Sequence, residues 1–165
     1  MRQIFPSLAC LISLVCLGCQ IDPKQDWHDF QFKAAPAYTQ LARAQPTWTR
    51  VQTISAGRET RATIQEVRRL LHDELLPCYD RAILALETTH PRSAEVKQAR
   101  THYLQGLQNY QKGVQLMVLG LDTRDEAKVN ESMRLTAEGL RIMGLAKQDA
   151  DGLNRKYGQA QAPAP

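Results

Sequence analysis

Hydrophobic residues recur along the middle of the chain at the spacing of an α-helix. After residue 60 they lie three or four positions apart, at Ile64, Val67, Leu71, Leu75, Cys78, Ala82 and Leu86. A second series has the same spacing, at Val96, Ala99, Tyr103, Leu107, Tyr110, Val114, Val118 and Leu121. Both series follow an 11-residue repeat, which keeps an apolar stripe nearly straight along a helix. They predict two long helices that each bury one face.

A third series predicts a last helix, with its apolar face at Val129, Met133, Ala137, Leu140 and Gly144. Thr123-Arg124-Asp125-Glu126 has the form of a capping box, so this helix is predicted to begin after Thr123. Pro91 suits the first turn of the helix before it. Short connections make successive helices antiparallel neighbours. We therefore predict an all-α antiparallel bundle of three long helices, or of four if Pro77 splits the first instead of kinking it.

The two ends of the chain lack this periodicity. Residues 20–46 contain three prolines and mixed polarity, which predicts an irregular, partly ordered tether. Its aromatic residues indicate either that part of it packs on the helices or that it docks a partner; they are Trp27, Phe30, Phe32 and Tyr38. The predicted divisions are a tether over 19–46, a helical domain over 47–157 and a disordered tail over 158–165.

The first 18 residues have the features of a secretory signal peptide. Arg2 is followed by the uncharged segment 4–18, which is shorter than the roughly 20 residues that a transmembrane helix needs. No second cysteine pair follows Cys16 and Cys19, so a zinc site or a redox pair is a poor interpretation of VCLGCQ. The segment is predicted to be removed on export.

The stretch VCLGCQ resembles a bacterial lipoprotein signal. Gly18 precedes Cys19 and Leu17 fits one position further back, whereas Cys16 replaces the usual leucine. The resemblance implies that Cys19 is lipidated and becomes the new N-terminus, and that Gln20 favours retention at the outer membrane in a cell with two membranes. The alternative is ordinary signal cleavage, which releases a soluble secreted protein.

Cysteine content and charge narrow the possible functions. Once residues 1–18 are removed, Cys78 is the one cysteine besides Cys19, so no internal disulfide is expected. Its place on an apolar stripe favours a buried structural thiol over a nucleophile. The net charge is +4, and it falls to +3 when Arg2 is lost. So small a charge on an exported protein argues against nucleic acid as a partner.

Glycines recur inside the predicted helices. Gly106, Gly113 and Gly120 are seven residues apart in one helix, and Gly139 and Gly144 lie in the next. Each glycine costs about 1 kcal/mol of helix stability relative to alanine. Facing glycines let two backbones approach closely, so the main interpretation is tight packing within the hairpin. The alternative is that all five glycines form a shallow groove for a partner helix or peptide.

The same hairpin resembles a loosely defined class of uncharacterised exported bacterial proteins. The matching features are Pro91, His102, Tyr103, Leu107, Tyr110, Asp122 and an alanine-rich return helix over 127–144. The resemblance covers about residues 75–147. It implies a helical hairpin and carries no known activity.

Signatures of catalysis are absent from the sequence. It contains no G-x-S-x-G, H-E-x-x-H or P-loop motif. A haem held by histidine and methionine is an alternative, but methionines at helical spacing usually fill cores. The residues concerned are His28, His72, His90, His102, Met117, Met133 and Met143. We predict that the protein is not an enzyme and binds no metal or other cofactor.

Together these observations predict a lipid-anchored protein of the cell envelope, facing the periplasm from the outer membrane in a Gram-negative cell. Its expected partners are the membrane, through the lipid, and another protein, and its role is interaction or structure without catalysis. Two alternatives stay open. One is an assembly helper that resembles a secretion pilotin, and the other is a bundle that binds haem or a small ligand.

Overall fold

The computed structural model describes residues 21–58 and 60–158, so the predicted signal peptide, Cys19 and nearly all of the predicted tail lie outside the described residues. The described residues form helices and connections, with no strand among them, which confirms the all-α class. The helices are α1 (Pro23–Ser55), α2 (Arg61–Arg69), α3 (Leu76–Glu87), α4 (Ala94–Thr123) and α5 (Glu126–Tyr157). A π-helical stretch, Leu70–Leu75, joins α2 to α3.

These helices make four long rods, because α2, the π-helical stretch and α3 run without interruption from 61 to 87. The contacts between α1 and this second rod are antiparallel. Arg50, near the end of α1, pairs with Glu66 of α2 at 2.6 Å. Asp26, near the start of α1, instead contacts Arg92, which follows the end of the second rod. The fourth rod is thus α1, not a helix split off at Pro77.

Helix α1 replaces the predicted irregular tether, and that prediction is wrong from Pro23 onward. The Asp22 side chain caps the helix by accepting a hydrogen bond from the Lys24 N–H at 2.9 Å, and proline suits the first helical position. Pro36 and Pro46 lie inside the helix on exposed positions, and each removes one backbone hydrogen bond. Burial of one face offsets this loss. That face consists of Trp27, Phe30, Ala34, Ala37, Ala44 and Val51.

The first turns of α1 belong to the core. Trp27 and Phe30 are 1% and 2% exposed, and their rings stack with centroids 5.7 Å apart. The Trp27 Nε1–H donates to Asn154 Oδ1 at 3.1 Å, and the Gln31 amide donates to the same oxygen at 2.9 Å. These bonds fix the start of α1 against the end of α5.

Pro77 does not break the second rod. The π-helical stretch ends just before it, where the Leu76 N–H bonds to the carbonyl of Leu71, five residues back. An α-helix bonds four residues back, so the hydrogen-bond ladder shifts by one residue at this point. Pro77 then lies in the first turn of α3, where a missing N–H is tolerated.

A left-handed residue and an aspartate cap make the joint between α4 and α5. Arg124 has φ 53° and ψ 40°. Asp125 follows it and accepts hydrogen bonds from the N–H groups of Ala127 at 3.0 Å and Lys128 at 3.2 Å. The predicted capping box is wrong because α4 continues through Thr123, which leaves Asp125 as the N-cap of α5.

Helix α5 buries a different face from the predicted one. Met133 and Leu140 are 50% and 56% exposed, and Gly144 is also exposed. The buried face consists of Ser132, Leu135, Gly139, Ile142, Ala146, Ala150 and Leu153. This face places Gly139 in backbone contact with Gly106 and Tyr110 of α4.

Asp26 connects the start of α1 to the start of α4. Its carboxylate accepts hydrogen bonds from the Arg92 N–H at 2.9 Å and from the N–H and Oγ–H of Ser93 at 2.7 Å each. Ser93 is the N-cap residue of α4 and its own side chain makes no capping bond, while the Asp26 carboxylate binds the N–H of Ser93 and of the residue before it. Burial raises the pKa of Asp26, but these hydrogen bonds outweigh it and hold the pKa below its ordinary value.

Asp26→Ala is therefore expected to lower the free energy of unfolding by about 1–2 kcal/mol at neutral pH, because the donors of Arg92 and Ser93 lose a charged acceptor. Because the pKa of Asp26 is lowered in the folded protein, its stabilisation is complete above the unfolded pKa, about 3.9. It is lost as the pH falls through the folded value. Urea unfolding at neutral and acidic pH should show the gap from wild type closing in acid. Asp29→Ala is the control, since among the described residues Asp29 bonds only to the exposed Gln25 side chain. An equal loss of stability in this variant would contradict the stabilising role assigned to Asp26.

Candidate functional site

Four of the five glycines predicted to form a partner groove lie buried between α4 and α5. They are Gly106, Gly113, Gly120 and Gly139. A Cβ atom on Gly139 would lie 2.8 Å from the Gly106 carbonyl oxygen and 2.8 Å from the Tyr110 backbone nitrogen, so the two backbones touch. Gly144 is exposed, and a Cβ atom there would meet nothing within 4 Å. The neighbouring helix therefore occupies the surface at the four buried glycines.

The two cysteines of the predicted mature chain differ in their setting. Cys19 lies outside the described residues, and α1 begins four positions after it, at Pro23. Cys78 is a half-buried free thiol of α3 that packs against the core. It therefore sits on the buried side of its helix, where a structural thiol is expected.

The histidines contact single carboxylates or none. His102 Nδ1 lies 2.7 Å from Asp149 Oδ2, and this contact joins α4 to α5. His72 Nδ1 lies 2.7 Å from the carboxylate of Asp73, the next residue in sequence. His28 has a buried Nε2 atom that has no hydrogen-bond partner among the described residues. His90 lines a cavity of about 390 Å³ beside α1. Over 21–58 and 60–158, no three His, Cys, Asp or Glu side chains lie close enough to hold a metal ion.

An aromatic cluster lines a small cavity between α1 and α5. The rings of Trp48 and Tyr79 contact Tyr110 with centroids 5.7 Å and 5.3 Å away. The cavity has a volume of about 190 Å³ and is bounded on α5 by Leu140 and Met143. Burial raises the pKa of Tyr110 to about 12 and also raises that of Tyr79. Both hydroxyls stay protonated at neutral pH, so the cluster contributes packing and not a base.

A larger hollow, which we call the distal trough, lies at the end of the bundle opposite the start of α1. Its volume is about 1010 Å³. Helix α2, the last turn of α4 and the first turns of α5 line it. Three arginines and three aliphatic residues define it: Arg61, Arg68, Arg124, Ile64, Leu121 and Val129. The trough thus combines an apolar surface with guanidinium groups.

Acidic side chains line the distal trough beside its arginines. Arg68 forms an ion pair with Asp122, and its hydrogen bond holds the pKa of that carboxyl below its ordinary value. The Asp125 carboxylate is engaged in the cap of α5. Arg61 and Arg124 are exposed and form no ion pair with any residue that the structure describes. Glu126 lines the trough as well, so three carboxylates face three guanidinium groups there.

The sequence around α1 and α2 is richer in basic than in acidic residues. Residues 30–72 contain seven Lys or Arg and two Glu, while the whole chain has a net charge of only +4. Sequence reasoning missed the distal trough because its lining residues come from helices that are far apart in sequence. A windowed count would have found the basic segment, although only the fold brings Arg124 beside α2.

No protein-family model, curated protein or solved structure matches the chain. Over the described residues, the helices hold no apolar stretch that would serve as a transmembrane span, which needs about 20 such residues.

Proposed function

We propose that this protein is a lipoprotein of the bacterial cell envelope that presents a non-catalytic binding surface at a distance from its membrane. One observation carries the proposal. Cys19, at the end of a stretch that resembles a lipoprotein signal, precedes by four positions a helix whose first turns are fixed in the core. A lipid on Cys19 would hold the start of α1 close to the membrane surface.

The fold supports a display role because the two ends of the bundle are far apart. Helix α1 has 33 residues, which at 1.5 Å per residue make about 50 Å. The start of α1 contacts Ser93 at the start of α4 and Asn154 near the end of α5, so these elements share the end nearest to Cys19. The distal trough lies at the other end, beyond the reach of the proposed anchor.

Lipidation supplies the attachment in this proposal. Each buried CH₂ group contributes about 0.8 kcal/mol, so two or more acyl chains give stable anchoring. Gln20, in place of aspartate after the cysteine, supports an outer-membrane position facing the periplasm in a cell with two membranes. An interaction or structural role at that membrane accounts for the anchor and the trough together.

Cys19→Ser is expected to move the protein from the membrane fraction to the soluble fraction of its native host. The measurement is immunoblotting of the two fractions, together with the intact mass of the N-terminal peptide. Cys78→Ser is the control, because it removes the other cysteine of the mature chain and should leave the protein in the membrane fraction. A wild-type N-terminal peptide without acyl groups, or a Cys19→Ser protein that stays on membranes, would contradict the proposal.

A further inference from the structure

We propose that two copies of this protein pair through the exposed face of α5, with the two α5 helices antiparallel about a two-fold axis. The pairing goes beyond the proposed function, because it needs only residues that the structure describes. Three features of α5 support it: its exposed residues, the way in which it packs on α4, and the match of its exposed face to itself.

A stripe of apolar and small side chains on α5 is left exposed by the bundle. We call it the outer stripe, and its spacing of three and four residues follows a heptad. Met133 and Leu140 are 50% and 56% exposed, and the other members are exposed as well. The members are Asn130, Met133, Ala137, Leu140, Gly144 and Lys147. A helix laid on the stripe would remove this apolar area from water, which is favourable.

Gly144 on the outer stripe has no use within the single chain. Glycine inside a helix is less stable than alanine. A Cβ atom at Gly144 would meet nothing within 4 Å, so no neighbour in the described chain requires glycine at this position. A second helix that lies close to α5 would use the space that the missing side chain leaves.

The contact between α4 and α5 shows how this protein uses its buried helical glycines. Each of three glycines on α4 faces a side chain of α5, which would lie 2.6–2.8 Å from an added Cβ atom. Both members of these pairs recur every seven residues, in opposite chain directions. The pairs are Gly106 with Met143, Gly113 with Thr136, and Gly120 with Val129. Within the chain, α5 thus packs on an antiparallel helix that places a glycine opposite a larger side chain.

The outer stripe offers the same packing to a second copy. We place the two α5 helices antiparallel, with the two-fold axis between positions 138 and 139. Met133 then faces the partner's Gly144, and Leu140 faces the partner's Ala137. Two-fold symmetry repeats both contacts, so every large side chain of the stripe meets a small residue. A parallel pair would bring large residues together and leave gaps between the small ones, which close packing disfavours.

Polar residues border the outer stripe without opposing the pairing. In this register Lys147 faces the partner's Asn130, whose amide oxygen accepts hydrogen bonds, and Asp151 balances the charge of Lys147 within its own helix. On one side of the stripe, Arg134 and Arg141 each donate two hydrogen bonds to a glutamate of their own helix, at 2.7 Å and 2.8 Å. These charges are therefore balanced within each copy.

The pairing places the two anchored ends of the dimer apart. Trp27 at the start of α1 bonds to Asn154 near the end of α5, so residues close to Cys19 lie at that end of α5. Antiparallel α5 helices put these ends at opposite ends of the dimer. With the proposed lipid on Cys19, the dimer would join copies held on two facing lipid surfaces. This consequence rests on the proposed function, whereas the pairing does not.

The test uses the full mature chain carrying Cys19→Ser and Cys78→Ser, which contains every described helix and no cysteine. The stripe covers positions 130–147, about 26 Å of one helix, so the contact is small. We therefore expect a weak dimer with a dissociation constant of about 10–100 μM. Sedimentation velocity between about 2 and about 500 μM should show the monomer converting to a dimer. A monomer at every concentration would overturn the proposal.

Single cysteines test the direction and register of the pairing. Met133→Cys protein mixed with Gly144→Cys protein should form a mixed disulfide on mild oxidation, identified by intact mass. A disulfide needs Cα atoms about 4.4–6.8 Å apart, and the two positions 133 of an antiparallel dimer lie about 16 Å apart along the helices. Met133→Cys protein alone should therefore form little disulfide. If it crosslinks to itself as readily as to the Gly144→Cys protein, the antiparallel register is excluded.

Leu140→Arg locates the interface. It places a charge opposite the partner's Ala137 and should weaken dimerisation at least about tenfold. Leu84→Arg is the matched control, because Leu84 is 62% exposed on α3, outside the stripe, and the change should alter the dissociation constant less than about threefold. Both variants should keep their helicity by circular dichroism, since both positions are exposed. Equal weakening by the two changes would assign the dimer to another surface and contradict the proposal.

A different occupant of the outer stripe would also be detected. A protein that stays monomeric but sediments with phosphatidylglycerol vesicles, and loses this binding when Met133 and Leu140 are both changed to serine, would assign the stripe to lipid. Because these assays use unlipidated protein, their failure leaves the membrane result for Cys19 unaffected. Failure of the Cys19 result likewise leaves the dimer unaffected.

Discussion

Gly139→Ala is expected to destabilise the protein by about 1–3 kcal/mol, the range for overpacking a closely packed interior. The added methyl group would meet the Gly106 carbonyl oxygen and the Tyr110 backbone nitrogen, each at 2.8 Å. These are backbone atoms, so no side-chain rotation can relieve the contact, and α4 and α5 must move apart. Urea denaturation followed by circular dichroism measures the loss.

Gly144→Ala is the matched control on the same helix. A methyl group there meets no atom within 4 Å, and alanine stabilises an exposed helical position by about 1 kcal/mol relative to glycine. The two Gly→Ala changes, five residues apart on α5, should therefore have opposite signs. If both stabilised the protein, α4 and α5 would not be in backbone contact, and a partner groove at the glycines would again be the better interpretation.

The helices of the second rod and α4 could be predicted because the apolar residues in their sequences are also the residues that pack in the core. Leu71, Leu75 and Leu86 are buried in the second rod, as are Leu107 and Val114 in α4. In both, the apolar spacing of three and four residues coincides with the buried face. Local pattern and tertiary packing agree there, so the period alone locates both the helix and its core side.

Helix α1 could not be predicted in the same way because local rules and packing disagree. Pro36 and Pro46 each argue against a helix, and their cost is local and visible in sequence. The compensation is tertiary, since Trp27 and Phe30 are 1% and 2% exposed in the folded chain and Trp27 bonds to Asn154 of α5. The sequence shows the backbone hydrogen bonds that the two prolines remove, but it does not show the burial of Trp27 and Phe30 against other helices.

The face of α5 illustrates a second limit. The stripe predicted to be buried includes Met133 and Leu140, which are 50% and 56% exposed. The observed buried face combines Leu135 and Ile142 with small residues such as Gly139, and close approach of two backbones needs the little side-chain volume of glycine. Hydrophobicity identifies a face that prefers burial, whereas the glycines decide which face the neighbouring helix can reach.

The distal trough shows why the candidate site was out of reach of sequence analysis. Arg61 and Arg124 are 63 positions apart in sequence, and nothing in the pattern of the chain pairs α2 with the joint before α5. The glycine repeat was conspicuous in sequence and proved to be packing. The trough is lined by ordinary residues from three helices, so only the fold brings them together.

Trp27→Ala is expected to lower the free energy of unfolding by about 3–5 kcal/mol, the usual cost of truncating a fully buried tryptophan. Trp27 is 1% exposed, it stacks on Phe30, and its indole N–H donates to Asn154 at the far end of the chain. The mutation therefore removes a large core side chain and one hydrogen bond between α1 and α5. Thermal and urea unfolding of the variant measure the effect.

Phe32→Ala is the control that separates a core helix from a tether. Phe32 lies five positions after Trp27 on the same helix but is 67% exposed, so its truncation should change stability by no more than about 0.5 kcal/mol. A tether with loosely attached aromatics would give small and similar effects at both positions. A large effect at Trp27 alone would show that α1 is part of the folded body, so that a lipid on Cys19 would restrain the orientation of the whole bundle.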